Sequence, residues 1–469
     1  MKYSTTLLPL VATASAIVIP DEATAKQLIL DVKQQTEETV STWWDALPSF
    51  DDALSSAHNV LDDAIRIAEN KAGELSEDTS LITDFLSTSD YNNGPHHGPP
   101  GHSTNLTVYQ SIHASNYTKR FAALIDDFPD LVDKLNSTSG GNVTVLVPTD
   151  RAFERIPDHH KGHKPPKEFI EKLIQYHVLP GFYPAGRVLT HHTLPTAYEE
   201  EALGGRPQRL RVSVGLSGVR MNFFGKIIYA NLVTKNGVVH GLDHILVPPP
   251  PIETLISLFP TKFSTLSLAA GKTGFGHHHN SSGKKYLTGI TLFAPTNLAF
   301  KKLGPGANAF LFNTEKGLHY LKALLAYHVV VNETLYSDEY YGKKGSDSLL
   351  NMRCDEIESA DDVNDKDQTT GKGVKHFHID LPTLLGDKHI AVDITRWYGF
   401  IRIKLNGHVP VTIQDGVAKD GVIQVVDSVL IPPHKHKGSW NADVDGDIPV
   451  EELIERLSPF VADEEVGEL

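Results

Sequence analysis

A chain of 469 residues exceeds what one hydrophobic core organises, so its length points to several domains. Hydrophobic residues at 40% and charged residues at 22% match soluble globular domains. A formal net charge of −15 excludes a general affinity for nucleic acid or anionic membrane, because phosphate binding needs a basic face.

The first segment, MKYSTTLLPLVATASA, carries a cation at Lys2, a short apolar run over Leu7–Ala14 and the small-x-small trio Ala14-Ser15-Ala16. This is the pattern of a signal peptide over residues 1–16, cleaved after Ala16; the alternative is a buried first helix or strand. Residues 17–90 read as helical. Leu28, Ile29, Val32, Val40, Trp43 and Trp44 follow one stripe up to Pro48, and Leu54, Ala57, Val60, Leu61, Ala64, Ile65 and Ala68 follow another behind Asp51 and Asp52. Two such helices must dock elsewhere to bury their stripes, so a packed N-terminal region and a propeptide or partner-binding hairpin both stay open. Residues 91–103 are a Pro/Gly/His-rich linker.

A duplication follows. NVTVLVPTDRAFERI (Asn142–Ile156) is matched by GITLFAPTNLAFKKL (Gly289–Leu303), YHVLPG from Tyr176 by YHVVVN from Tyr327, and NGVVHGLDHILVPP (Asn236–Pro249) by DGVIQVVDSVLIPP (Asp420–Pro433). The order is the same in both copies, so a whole domain is repeated. In each first block a β-rich run ends at Pro148 or Pro295. Thr149 or Asp150, and Thr296 or Asn297, then cap a helix that buries Ala152 and Phe153 or Ala299 and Phe300. Asn236-Gly237 and Asp420-Gly421 signal turns that feed the last strand of each domain, which the Pro-Pro pair closes.

These three ordered motifs, each present twice, closely resemble the fasciclin domain over about Thr104–Pro249 and Pro251–Pro433. The resemblance implies an α+β fold. Two tandem fasciclin-type modules, each a β-wedge or sandwich of about seven strands with packed helices, occupy residues 104–249 and 250–433. A helical N-terminal region precedes them, and an acidic tail, 434–469, follows. It further implies an extracellular adhesion or matrix module without catalytic activity. In that family the Tyr-His pair, here Tyr176-His177 and Tyr327-His328, is associated with adhesion. The residues alone read as a core tyrosine beside a histidine bonded to a backbone carbonyl. The second copy departs in two places: Gln424 stands where the first has His240, and Lys344–His376 is a long polar insertion. Binding specificity therefore does not transfer from other members.

The remaining chemistry is sparse. Asp243 and Asp427 recur in apolar surroundings and are expected to tie down loops. AGKTG (Ala270–Gly274) is not a phosphate loop, since Leu266 stands where the motif needs glycine. No nucleophile-elbow or zincin motif appears. The histidine clusters at His159, His160 and His163, at His191 and His192, and at His277–His279 read as solvated loops, and the lone Cys354 as a free thiol. Sequons at Asn105, Asn116, Asn136, Asn142, Asn280 and Asn332, behind a signal peptide, point to N-glycosylation. Calcium is the one cofactor on offer. Asn441, Asp443, Asp445, Asp447 and Glu452 fall at EF-hand spacing around Gly446, although Asn opens the loop and no obvious helix precedes it; a solvated acidic tail is the alternative.

The sequence thus reads as a secreted or cell-surface, non-enzymatic adhesion protein with protein or glycan partners. It has no nucleic-acid partner, no transmembrane segment and no lipid-anchor signal. A housekeeping role in a vacuolar or secretory lumen is the alternative. A hydrolase of that compartment ranks below it and would need titratable groups converging in a pocket.

Overall fold

The computed structural model describes residues 103–155, 165–215, 218–275, 288–338, 374–386, 388–397, 400–433 and 447–461. The signal peptide, the N-terminal helical region, most of the linker and of the polar insertion, the clusters at His159–His163 and His277–His279, Asn280, Cys354, Asn441, Asp443 and Asp445 lie outside them.

The first domain opens with three short helices, α1 (Val108–Ala114), α2 (Lys119–Asp126) and α3 (Pro129–Asn136). Strand β1 (Val143–Pro148) leads into α4 (Asp150–Glu154) and α5 (Lys167–His177). After β2 (Val178–Pro180) and α6 (Ala185–Thr190) come β3 (Thr193–Glu200), β4 (Arg206–Gly215), β5 (Gly218–Met221), β6 (Gly225–Thr234) and β7 (Gly237–Leu242). The second domain has α7 (Ile252–Leu258), α8 (Pro260–Thr273), β8 (Ile290–Pro295), α9 (Asn297–Lys302), α10 (Pro305–Asn313), α11 (Glu315–Tyr327) and β9 (Val329–Val331). Its remaining strands are β10 (Val374–Pro382), β11 (His389–Trp397), β12 (Phe400–Leu405), β13 (Val409–Ala418) and β14 (Gly421–Val426), and α12 (Val450–Val461) closes the described chain.

Among the described residues each domain holds a seven-stranded sheet, ordered β2-β1-β7-β6-β5-β4-β3 and β10-β11-β12-β13-β14-β8-β9. The duplication is exact in register. β1 and β7 run parallel from Val143 opposite Gly237 to Pro148 opposite Leu242, and β8 and β14 repeat this from Ile290 opposite Gly421 to Pro295 opposite Val426. Each central pair is buried on both faces, which is why these strands read as nearly continuous apolar runs. Val145, Val147 and Val239 pack under the helices with Phe121, Phe153 and Ile174, while Leu146 and Leu242 pack on the opposite side with Tyr176 and Leu194. The second domain divides the same way. Leu292, Ala294 and Ile423 join Phe300 and Leu321; Phe293 and Val426 join Tyr327 and Val392. Phe153 and Phe300 are buried, as their place in the motif requires.

The hairpin turns are Lys235-Asn236 and Lys419-Asp420, so the following glycines are the first strand residues and not turn glycines. Their role is close approach. A Cβ on Gly237 would stand 1.8 Å from the Val143 carbonyl oxygen, and one on Gly421 would stand 1.9 Å from that of Ile290. The turn side chains reach into each domain's first helix: Asn236 Oδ1 accepts from the Val108 amide at 2.8 Å, and Asp420 Oδ1 from the Ile252 amide at 2.8 Å.

Two further expectations are corrected. The Pro-Pro pairs do not end the last strands. Pairing stops at Leu242 and Val426, whose carbonyls accept the Thr149 and Thr296 amides as the neighbouring strand turns into a helix. The segment 434–469 is also not simply a solvated tail. In α12, Leu453 and Leu457 stand one turn apart and, with Ile448, join the second domain's helix-side core.

Candidate functional site

Both Tyr-His pairs sit where a helix runs into a short strand, at α5–β2 and α11–β9. Burial and bonding are the same in both. Tyr176 OH donates to the Arg209 carbonyl at 3.1 Å and accepts from Asn222 Nδ2 at 2.7 Å. Tyr327 OH donates to the His389 carbonyl at 3.2 Å and accepts from Asn406 Nδ2 at 3.1 Å. His177 Nδ1 donates to the Leu173 carbonyl at 2.7 Å, and its Nε2 accepts the Leu246 amide at 3.0 Å. His328 does the same with the Leu324 carbonyl at 2.8 Å and the Leu430 amide at 2.9 Å. One imidazole thus ties a helix's last turn to the chain leaving the final strand. Burial holds both histidines down to about 4, against the upward pull of the carbonyl bond. At neutral pH they are neutral, and their side chains are closed to a partner.

The recurring aspartates tie loops. Asp243 Oδ1 accepts the Lys226 amide at 2.7 Å and pairs with His244 at 2.7 Å. Asp427 Oδ1 accepts from Thr296 Oγ1 at 2.8 Å, fastening the strand exit to the start of α9. Asn105, Asn116, Asn136, Asn142 and Asn332 are exposed. Of the calcium candidates, Asp447 is exposed, while Glu452 Oε1 takes the buried Arg456 at 2.5 Å. The described residues hold no group of three or more His, Cys, Asp or Glu side chains arranged for a metal ion, and no helix among them is long and apolar enough to cross a membrane.

Among the described residues, a set of interacting charges lies where the two domains meet. β4 runs along β13: Gln208 Nε2 donates to the Ala418 carbonyl at 2.8 Å and Arg211 Nε to the Gln414 carbonyl at 2.9 Å. The Arg211 guanidinium lies 4.2 Å from the Phe223 ring centre, and Phe223 packs on the second domain's helix-side core. From the second domain, Asp338 reaches across. It accepts from the His192 and Thr193 amides at 3.1 and 2.7 Å, from Thr193 Oγ1 at 2.6 Å, and lies 3.6 Å from Arg209. Beside it Ser337 donates its amide to Asp415 Oδ1 at 2.8 Å and its hydroxyl to Asp415 Oδ2. Asp338 and Asp415 are only 5% and 1% exposed, so no substrate atom reaches this carboxylate pair.

Asp415 has a counterpart. Counting back five residues from each turn, 236 to 231 and 420 to 415, pairs it with Asn231. Both stand at a bulge with left-handed φ, 63° for Asn231 and 60° for Asp415, which short polar side chains tolerate. Asn231 Oδ1 accepts the Ala185 amide at 2.7 Å, its own amide meets His240 Nδ1 at 3.3 Å, and His240 Nε2 donates to the Tyr183 carbonyl at 2.8 Å. In the second domain the Asp415 amide donates to Gln424 Oε1 at 3.2 Å, and Gln424 Nε2 donates to the Leu335 carbonyl at 2.7 Å. Gln424 thus does His240's work with an amide. The sequence reading passed over Arg209, Arg211, Asp338 and Asp415. The signal available was basic residues alternating along RPQRLRV and an acid where the first copy has an amide.

The fasciclin domain model matches the chain twice, over residues 116–248 and 261–432. Over 81% of its length the chain is 28% identical to the aurofusarin biosynthesis cluster protein S of Gibberella zeae, of which it covers 93%. It is 28% identical over 42% of its length to the transforming growth factor-beta-induced protein ig-h3 of Oryctolagus cuniculus, covering 28% of that protein. It is 28% identical over 29% of its length to the cell surface glycolipoprotein MPB83 of Mycobacterium bovis, covering 56% of it. A solved FAS1 domain pair from the insect cell adhesion molecule Fasciclin I aligns with 71% of this chain and 97% of its own, at 16% identity and a TM-score of 0.30.

Proposed function

Because the chain belongs to the fasciclin domain family, as two of its domains in tandem, we propose that it is a secreted, N-glycosylated, non-enzymatic protein of the adhesion or matrix type that binds protein or glycan partners through both domains. The junction is the observation that carries this reading. Gln208, Arg209, Arg211 and Asp338 hold the two domains together, so two related surfaces are presented on one body. Weak contacts made at both surfaces then act as one, and avidity replaces single-site affinity. The exposed sequons agree with passage through the secretory route. The hydrolase reading loses support because the one buried carboxylate pair described is sealed. A vacuolar or secretory lumen remains the alternative compartment, with a housekeeping role.

The nearly full-length likeness to the Gibberella zeae cluster protein favours a second reading. In that reading this chain's partners are biosynthetic enzymes in place of matrix components. One experiment addresses both: fractionate cells producing the tagged full chain, cross-link, and identify what co-purifies. Recovery in the medium or on the cell surface, bound to wall or matrix components, supports the first reading. Recovery with biosynthetic enzymes supports the second, and a turnover activity of the chain alone overturns both.

A further inference from the structure

We infer that the junction is a pH-sensitive joint, in which Asp415 is held as a carboxylic acid against Asp338 and Ser337, so that acid closes it and rising pH loosens it. The geometry supplies the argument. As carboxylates, Asp338 accepts from two amides and a hydroxyl, and Asp415 from one amide, one hydroxyl and Gln424 Nε2, but Asp338 alone of the two forms an ion pair, 3.6 Å from Arg209, so it is the natural site of the negative charge. Asp415 is enclosed next to it and bonds to Ser337, the residue preceding Asp338; as the acid, its Oδ2 hydroxyl donates to Ser337 Oγ, which turns its own proton towards His192 Nδ1 at 3.3 Å. Two carboxylates buried together do not both ionise without cost. The groups facing the pair are Arg209 and Arg211 on β4, His192 before β3, Arg396 on β11, which donates to the Ser337 carbonyl at 2.7 Å, and the neutral Gln424 on β14.

The duplication provides the comparison. At the same bulge the first copy has Asn231, whose amide oxygen accepts the Ala185 amide as Asp415 accepts that of Ser337. The amide satisfies this position at every pH. The carboxyl group adds only the capacity to ionise, and it stands at the junction. Burial first, and then the field of Asp338, push Asp415 above its ordinary range, against the pull of His192 and of the Ser337 bonds. A carboxyl group whose folded-state value is raised contributes stability that is full below the unfolded value, and loses it as pH rises through the folded one. Closure is therefore the acid state. The consequence that two binding surfaces are fixed together best in acid rests on the proposed function; the joint itself does not.

Hydrogen-exchange mass spectrometry on the full chain at pH 5 and pH 8, corrected for intrinsic exchange, tests it. In the wild type, protection over 191–194, 206–212, 335–338 and 413–418 should fall by about tenfold at pH 8 relative to the same segments of Asp415→Asn, which carries the same buried histidines. Asp415→Asn should keep its acid-state protection at pH 8. An undiminished pH response in that variant, or none in the wild type, overturns the proposal. If Asp415→Asn does not fold, carboxyl-carbon NMR of aspartate-labelled wild type decides. A buried carboxyl titrating well above the ordinary aspartate range supports the joint, and its absence refutes it.

Discussion

Replacing His328 by Leu should lower stability at pH 7 far more than in acid. The imidazole satisfies the Leu324 carbonyl and the Leu430 amide, both buried, and leucine satisfies neither. Each orphaned group costs about 1–3 kcal/mol, so the loss at neutral pH is about 2–6 kcal/mol, a large share of one domain's stability. The wild type itself weakens in acid. The folded-state value of about 4 lies below the ordinary 6.5. The unfolded chain therefore takes up a proton first, and stability drains away as pH falls from 6.5 towards 4. At about 1.4 kcal/mol for each tenfold change, that drop is worth about 3 kcal/mol. Leucine does not titrate, so the gap between variant and wild type should shrink by about 3 kcal/mol between pH 7 and pH 4. Urea melts of the full chain at both pH values measure the gap, with the second domain followed by hydrogen exchange of β8 and β14. A gap that is equal at the two values would refute the neutral, doubly bonded histidine. His177→Leu should behave alike in the first domain, since its bonds and burial match.

Phe300→Ala, which removes a 2% exposed ring stacked edge-on against Phe312 at 5.9 Å, should cost roughly 3–5 kcal/mol, and Phe153→Ala somewhat less; thermal melts with no loss would contradict the packing. Gly237→Ala and Gly421→Ala should each prevent their own domain from folding, because the added carbon meets a neighbouring carbonyl oxygen at under 2 Å; near-normal circular dichroism would be the contrary result. If Asn441–Glu452 is a calcium loop, titration calorimetry should register heat at millimolar calcium that Glu452→Gln abolishes. The existing bond between Glu452 and Arg456 argues that wild type gives none.

The fold was legible where local chemistry repeats. The Pro-marked corner after β1 and β8, the Thr296 cap and the buried Phe153 and Phe300 follow from short-range rules, and a second copy in the same order doubles the signal, although the Thr149 hydroxyl bonds the Leu242 carbonyl in place of capping. Gly237 was marked for the wrong reason: an Asn-Gly pair looks like a turn, and only the parallel neighbour β1 shows that the missing side chain is what matters. The stripe of Leu453 and Leu457 was hidden among acidic residues, whose abundance suggested a solvated tail. The junction was the least legible part. Asp338 and Asp415 are 77 positions apart (338 to 415), and Arg209 comes from the other domain, so no spacing rule joins them.

The central claim is that the two domains act as one extracellular binding body, and saturation binding tests it most directly. Labelled full chain is titrated onto the surface and matrix of the cells that make it, alongside Arg209→Ala, which removes the cation facing Asp338 and leaves the outer faces unchanged. The account predicts saturable binding by the wild type and binding at least about tenfold weaker by a folded Arg209→Ala chain, through lost avidity. No saturable binding, or equal affinity in the two chains, would contradict it.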